Sequence, residues 1–278
     1  MRPRVGIVLV NWNGRAVTLD CLRSLESVRY DNAFTVVVDN ASADGSVEAI
    51  RSAFPAVTVL PQERNLLFAG GCNAGMTYAL AEGARAVLLL NNDTVVDPGF
   101  LGPMVERMLA EPDTGAVAPK IYYHAHPDLL WYAGGEISFW TGTMKHTGIR
   151  EKDAGQYDAV RVVDYATGCA VLVPGEVVAR VGMLDTGYGM YGEDADWSLR
   201  IRKAGYRIVV EPRARVWHRI SVSTGGHLSF YKLRHKFVSN FRFFARYARW
   251  YHWPVFPWAG VLVNAAAAGR YLMTSRGR

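Results

Sequence analysis

Three cysteines, Cys21, Cys72 and Cys169, are all that the 278-residue sequence contains. They are too few and too widely spaced for a disulfide framework or a paired-ligand metal site, so a reducing compartment is expected, with Cys21 and Cys72 serving as small buried hydrophobes. No apolar run reaches the roughly 20 residues that a spanning helix requires. The nearest, Pro254 to Gly269, has 16 residues and is interrupted by Asn264. The start, Met1 to Arg4, runs directly into a strand-like segment without the apolar region of a signal peptide, which predicts a cytoplasmic protein. The strand-linked GxGxxG of dinucleotide-binding folds is missing between Val10 and Thr18. Acidic residues nearly vanish from the last third. Residues 200–278 carry 16 Lys and Arg against Glu211 alone, net +15, whereas residues 1–199 carry 15 against 24, net −9.

What is present is a chain that is 50% hydrophobic, enough for one large core. Two apolar runs break off on polar tips, Phe34–Val38 into Asp39-Asn40 and Ala86–Leu90 into Asn91-Asn92-Asp93. Each reads as a buried parallel strand, and ligands of open α/β sheets collect at strand ends. Between them the pattern alternates. Strands are expected at Val5–Val10, Phe34–Val38, Val57–Leu60 and Ala86–Leu90, and helices at Thr18–Ser27, Ser42–Ser52, Gly71–Glu82 and Phe100–Ala110. After Val117 the pattern loosens. Tyr122–Thr147 reads as strands and loops built over the sheet, and Val160–Val163 and Ala170–Val173 suggest a mixed half. A short helix at Glu176–Val181, a glycine-rich loop, a helix at Asp194–Ala204 and a strand at Arg207–Glu211 follow. The fold class is therefore α/β: a single Rossmann-type domain over residues 1–225, with a mixed, mainly parallel central sheet, then a basic aromatic helical appendage over 226–278.

In that appendage Arg234, Lys236, Arg242, Arg246 and Arg249 are interleaved with Phe237, Phe241, Phe243, Phe244, Tyr247, Trp250 and Trp253. Arginine with aromatics suits the headgroup level of an anionic bilayer, the favoured reading. Packing against the body or a partner subunit is the alternative, and single-stranded nucleic acid, which the same mixture can stack on, is the least favoured.

The chemistry-bearing residues sit at the strand ends. Asp39 can accept a hydrogen bond from the N–H of a nucleobase, while Asp44 and Ser42 suit turn and cap roles. Arg64-Asn65 through Gly70-Gly71-Cys72-Asn73-Ala74-Gly75 puts glycines before and within a helix, where free N–H groups can face a diphosphate; packing is the equal alternative. Asn91-Asn92-Asp93 supplies oxygen ligands for Mg²⁺ or Mn²⁺ shared with two phosphates. In Glu193-Asp194-Ala195-Asp196, one carboxylate can take a proton from an acceptor hydroxyl while another orients it or caps the helix. His218 is a metal ligand or a structural imidazole.

In order and spacing, these segments resemble the inverting family-2 glycosyltransferases of the GT-A type, in their rhamnosyltransferase-like branch, over about residues 4–240. The segments are Val10-Asn11-Trp12-Asn13, Val38 to Ser46, Asn65 to Gly75, Asn91-Asn92-Asp93, Thr167-Gly168-Cys169, Gly192 to Asp196 and Trp217-His218. The resemblance implies that Val10, Asn11, Asn13 and Asp39 hold the base, with Arg64 and Asn73 near the ribose or diphosphate and Asn92 on the donor side. It makes Asp93 the last carboxylate of the metal-binding DxD motif, helped by His218, and Asp194 the catalytic base with Glu193 beside it. Trp197 falls near the acceptor, and Thr167 and Gly168 line the donor–acceptor boundary. Asn91 departs from the Asp that many relatives carry there, which weakens one metal contact. The implied reaction moves a sugar, rhamnose among the candidates, from a dTDP- or UDP-linked donor to a hydroxyl of a lipid-linked or cell-surface glycan, on the inner face of the membrane and without nucleic acid. The alternatives are a metal-dependent nucleotidyltransferase and a non-catalytic nucleotide-sugar binding module.

Overall fold

A computed structural model describes residues 2–188, 191–219 and 230–254. In chain order the elements are β1 Val5–Asn11, α1 Arg15–Glu26, β2 Ala33–Asp39, α2 Ser46–Ala53, β3 Thr58–Pro61, α3 Leu67–Ala81, β4 Ala86–Leu90, β5 Thr94–Val96, α4 Leu101–Ala110 and β6 Thr114–Tyr123. They continue with β7 His126–Tyr132, β8 Gly135–Ser138, β9 Thr143–His146, β10 Arg161–Val163, β11 Ala170–Pro174, α5 Gly175–Val181, α6 Glu193–Lys203, β12 Arg207–His218 and α7 Phe230–Tyr247.

The main sheet runs β10-β12-β6-β11-β4-β1-β2-β3, with β5 on β12 and β7 on β6. β3, β2, β1 and β4 are mutually parallel; β11 runs against both β4 and β6, and β6 is parallel to β12. Reversal of β11 brings Ala170 opposite Leu90. The start of β11 therefore lies at the edge where β1, β2 and β4 end, and Asn11, Asp39, Asn91 and Thr167 to Cys169 gather there. On the far side β5 pairs Thr94 with His218, which places Asp93 beside that histidine.

Strand β4 is Ala-Val-Leu-Leu-Leu and buried at every residue, the signature of a strand covered on both faces. Helix α3 begins earlier than the glycines suggest, at Leu67, so Gly70, Gly71 and Gly75 are inside it. Their N–H groups belong to the helix and are not a phosphate cradle. Close packing explains them instead. A Cβ on Gly71 would come within 2.7 Å of Val10 Cγ1, and one on Gly75 would collide with Val8 Cγ1 and press on Val38. The bare helix face lets α3 lie directly on β1 and β2. Gly75→Ala should accordingly destabilise the chain by about 1–3 kcal/mol through overpacking, read as a lower urea midpoint; an unchanged midpoint would mean that the helix can shift outward freely.

Helix α7 is fixed to the body. Phe243 and Phe244 are buried with Tyr165, Tyr188, Ala195 and Leu199, and Phe139 stacks on Phe243. Arg242 donates to the carbonyl of Gly187 at 2.6 Å, and Arg246 pairs with Asp185 at 2.8 Å and Asp196 at 3.1 Å. Two of the arginines expected to face headgroups are thus spent on the domain, so the packing alternative holds for this face of the helix. The apolar stretch that continues past Pro254 lies outside the described residues. No helix among the described residues is long and apolar enough to cross a membrane.

Candidate active site

Two hydrogen-bonded centres flank the short segment Thr167-Gly168-Cys169. On one side the carboxylate of Asp93 meets the imidazole of His218, Oδ1 to Nε2 at 3.1 Å, with both side chains largely buried. The main chain ties this pair to the sheet edge: Asn91 N–H donates to Cys169 O at 2.8 Å, and Arg219 N–H to Asp93 O at 2.9 Å. His218 also sits edge-on to Trp131 and beside the Cys169 thiol. Burial opposes the imidazolium, but Cys169 and Asp93 outweigh it and push the histidine up to about 10. The Cys169 thiol is itself raised by burial and neutral at physiological pH, so Asp93 is the partner that acts there.

Asp93 Oδ1 is buried against His218 Nε2, and His218 Nδ1, the ring nitrogen turned away from that carboxylate, is buried without a hydrogen-bond partner. A carboxylate facing an imidazole at a strand end fits a cation that takes few protein ligands and completes its shell with phosphate and water, as Mg²⁺ and Mn²⁺ do. No group of three or more His, Cys, Asp or Glu side chains suited to a metal occurs among the described residues, so the fit is to a shared site and not to an all-protein cage.

On the other side lies the first turn of α6. Asp194 is partly exposed. Its Oδ2 accepts from Gly168 N–H at 3.1 Å and its Oδ1 from Ala195 N–H at 2.8 Å. Two accepted bonds leave lone pairs for a hydroxyl proton. Glu193, Asp194 and Asp196 all fall in this first turn, where the helix dipole favours negative charge. The structure separates their roles. Asp196 is fully buried and receives Arg200 at 2.8 Å and the hydroxyl of Tyr247 at 2.6 Å, besides Arg246. It anchors α7 to α6. Glu193 is buried with Oε2 unpartnered.

Burial, then the charge of Asp194, push Glu193 up to about 8. Burial raises Asp194 as well, partly offset by the Gly168 and Ala195 N–H groups. At neutral pH Glu193 therefore holds its proton. Folded Glu193 keeps its proton to about pH 8, whereas an unfolded glutamate loses it near 4.5. The native state binds more protons between those values. Its stability is full below the lower one and declines as pH rises through the upper, by up to ~1.4 kcal/mol per pH unit. Glu193→Gln should flatten that decline in urea titrations at acidic and mildly alkaline pH; equal slopes for variant and wild type would show that Glu193 ionises normally.

The base-side residues form one network. Asn11, fully buried, donates to Asp39 Oδ2 at 2.7 Å and accepts from Thr18 Oγ1 at 2.9 Å and Asn92 Nδ2 at 3.1 Å. Asp39 also accepts from Ser42 N–H at 2.8 Å. Asn13 donates from its N–H to Ser42 Oγ and accepts from Ala43 N–H, both at 2.8 Å, so the loops after β1 and β2 are stitched together. Asn13, Ala41 and Leu67 all have positive φ, at 51°, 59° and 60°, and this edge of the sheet holds strained backbone that packing must enforce. Val10 lies partly exposed under this loop pair and against Gly71.

Other expected residues are placed differently. Asn73 spends both ends of its amide on the main chain of Leu184, at 2.9 and 3.0 Å, and so ties α3 to the segment leading into α6. Arg64 is exposed and makes no ion pair among the described residues. Trp197, expected near the acceptor, is 2% exposed and donates its indole N–H to Gly182 O at 2.8 Å. It is a core residue, because its position on α6 faces the sheet. Thr167 and Gly168 do stand between the two centres. Phe68 packs on Gly168, where a Cβ would come within 2.9 Å of the ring, so only glycine admits this contact beside Asp194. Phe68, Thr18, Cys169 and the Asp196 anchor carry no local sequence signal for their roles; only Asp196, within its acidic run, was visible as a candidate.

Among known proteins, the N-acetylglucosaminyl-diphospho-decaprenol L-rhamnosyltransferase of Mycobacterium tuberculosis is 28% identical over 244 residues, covering 79% of this chain and 77% of that one. The poly-beta-1,6-N-acetyl-D-glucosamine synthase of Staphylococcus aureus is 23% identical over 80% of this chain and 51% of its own. Among solved structures, the mannosyltransferase PcManGT from Pyrobaculum calidifontis, in complex with GDP-Man and Mn²⁺, superposes with a TM-score of 0.64 at 18% identity, over 100% of this chain and 80% of that one. GalNAc-T7, with UDP, GalNAc and Mn²⁺, gives 0.65 at 17% identity over 82% of this chain and 46% of its own. These likenesses show the GT-A-like α/β fold. The sequence pattern of Glycosyl transferase family 2 matches residues 6–171, more than half of the sequence, and the chain belongs to that family.

Proposed function

We propose that the chain is an inverting, metal-assisted glycosyltransferase that moves a sugar from a nucleoside diphosphate, thymidine or uridine, to a hydroxyl of a lipid-linked or cell-surface glycan at the cytoplasmic face of a membrane. The observation that carries the reading is the placement of two unlike centres across Thr167-Gly168-Cys169, a cation-suited Asp93–His218 pair and a proton-accepting Asp194. One displacement uses both sides. Asp194 takes the acceptor O–H proton, the acceptor oxygen bonds to the anomeric carbon, and the bond from that carbon to the donor phosphate breaks with its electron pair left on the phosphate oxygen. Attack opposite the departing group inverts the anomeric centre. A divalent ion held by Asp93 and His218 would supply neutralising charge to the departing diphosphate.

The stitched loops Asn11 to Gly14 and Asp39 to Asp44 are the proposed base-binding wall, supported by their rigidity and by their position at the sheet edge. Asp39, almost wholly buried and bonded to Asn11 and Ser42, shapes that wall and keeps lone pairs for a ring N–H. Rhamnose is favoured as the transferred sugar by the named activity of the mycobacterial relative. A thermal-shift screen of dTDP- and UDP-sugars with and without Mn²⁺, followed by product analysis of the best donor, tests the proposal. Release of nucleoside diphosphate with an inverted glycoside is expected. Pyrophosphate release would point to a nucleotidyltransferase, and donor binding without transfer to any acceptor to a binding module.

A further inference from the structure

Helix α7 has two faces, and only the inner one is accounted for by the domain. Its outer face exposes Phe237 at 73%, Val238 at 54% and Phe241 at 59%, and the turn that follows exposes Trp250 at 82%. Trp140, at the tip of the β8–β9 hairpin and 57% exposed, joins the same surface: its ring lies 5.9 Å from Tyr251, which lies 5.8 Å from Trp250. Trp253 packs on Phe241 at 6.2 Å. Large aromatics exposed together in this way mark an interaction surface, because scattered single side chains are the ordinary case.

The charge of the segment selects the partner. After Glu211 the sequence has 12 Lys and Arg and no Asp or Glu. A second copy paired through this same face would bring like charge against like charge. An acidic surface is the complement, and Phe with Trp beside Arg is the composition that settles at the headgroup level of a bilayer. The chain then continues from Pro254 into 16 nearly wholly apolar residues, too few to span and suited to lying along an interface.

We propose that Phe237, Phe241, Trp250 and Trp140 form a docking face for an anionic lipid bilayer, which brings a lipid-linked acceptor to the transferase. The last clause rests on the function proposed above; the docking itself does not. The inner face makes the arrangement specific. Arg246 and Tyr247 hold Asp196 on α6, the helix that also carries Asp194, so the docked element is bonded to the element that bears the base.

The test is co-sedimentation of the full chain with vesicles of phosphatidylcholine containing phosphatidylglycerol, against phosphatidylcholine alone. Wild type should bind the anionic vesicles and release in high salt. The triple variant Phe237→Ser, Phe241→Ser, Trp250→Ser should bind roughly tenfold or more weakly, while its melting temperature and its transfer to a soluble acceptor stay at wild-type values, since none of the three touches the site. Equal sedimentation of the variant, no preference for the anionic vesicles, or a wild-type dimer that the variant abolishes would each overturn the docking. Vesicle binding requires no donor, so a wild type that transfers sugar but does not sediment with anionic vesicles refutes only the surface. A wild type that sediments but transfers to no acceptor refutes only the reaction.

Discussion

Asp194→Asn is expected to retain donor binding and to lose about a thousandfold or more in turnover. The amide keeps the size of the side chain and can still accept from the Gly168 or Ala195 N–H, at 3.1 and 2.8 Å in the wild type, so the first turn of α6 should stay in place. What it cannot do is take a proton. The effect should appear in kcat, with the donor's KM little changed, because the interaction is made in the transition state and not with the bound nucleotide. The pH profile adds a second readout. Since burial raises Asp194, wild-type kcat should fall on the acid side at a pH above the ordinary aspartate range, and the variant should lack that limb. A variant with near-normal kcat would remove Asp194 from the role of base and shift attention to Glu193.

Asp93→Ala is the second large effect, and its signature differs. Asp93 faces His218 at 3.1 Å, with both side chains largely buried. Removing the carboxylate should abolish the Mn²⁺-dependent part of donor binding and reduce turnover by roughly a hundredfold to a thousandfold. High Mn²⁺ should rescue Asp93→Asn in part, as an amide oxygen is a weaker ligand of the same geometry, and should leave the alanine variant unrescued. His218→Gln should fall between the two. Circular dichroism and melting controls are needed for all three, because Asp93 and His218 also close the β5–β12 edge. An Asp93→Ala enzyme that binds and turns over donor with unchanged metal dependence would place the cation elsewhere.

The sequence exposes the sheet edge more clearly than it exposes the helices that cover it. β4 and the last half of β2, Val36–Val38, appear as apolar runs because they are buried on both faces, and the ends of these runs locate Asp39 and Asp93 without any tertiary information. Helix α3 reads as starting at Gly71, later than it does, for a physical reason: glycine has poor helix propensity, and only the proximity of Val10 and Val8 reveals why Gly71 and Gly75 sit in a helix. The sequence ends a strand at Glu211, before Pro212, yet β12 continues to His218 through a shift of register between Glu211 and Arg215.

Site roles fail to show where they depend on distant partners. The family resemblance puts Asn73 near the ribose or diphosphate, but its partner Leu184 is 111 residues away. Asp196 looks equivalent to Asp194 until Tyr247, 51 residues on, is found bonded to it. The family resemblance puts Trp197 near the acceptor; which side of α6 faces the sheet decides otherwise. The basic aromatic tail is the converse case. Composition leaves bilayer contact and packing as competing readings, and the helix divides its faces, with Arg242 and Arg246 serving the domain and Phe237 and Phe241 turned outward.

The proposed reaction needs one carboxylate and one imidazole to share a divalent ion with the donor's phosphates. Anomalous diffraction from crystals grown with Mn²⁺ and the nucleoside diphosphate of the best donor examines this directly. A manganese peak is expected about 2.0–2.3 Å from Asp93 and His218 and from oxygens of both phosphates. A peak bonded to other side chains, or phosphates bound with Asp93 turned away from them, would contradict it.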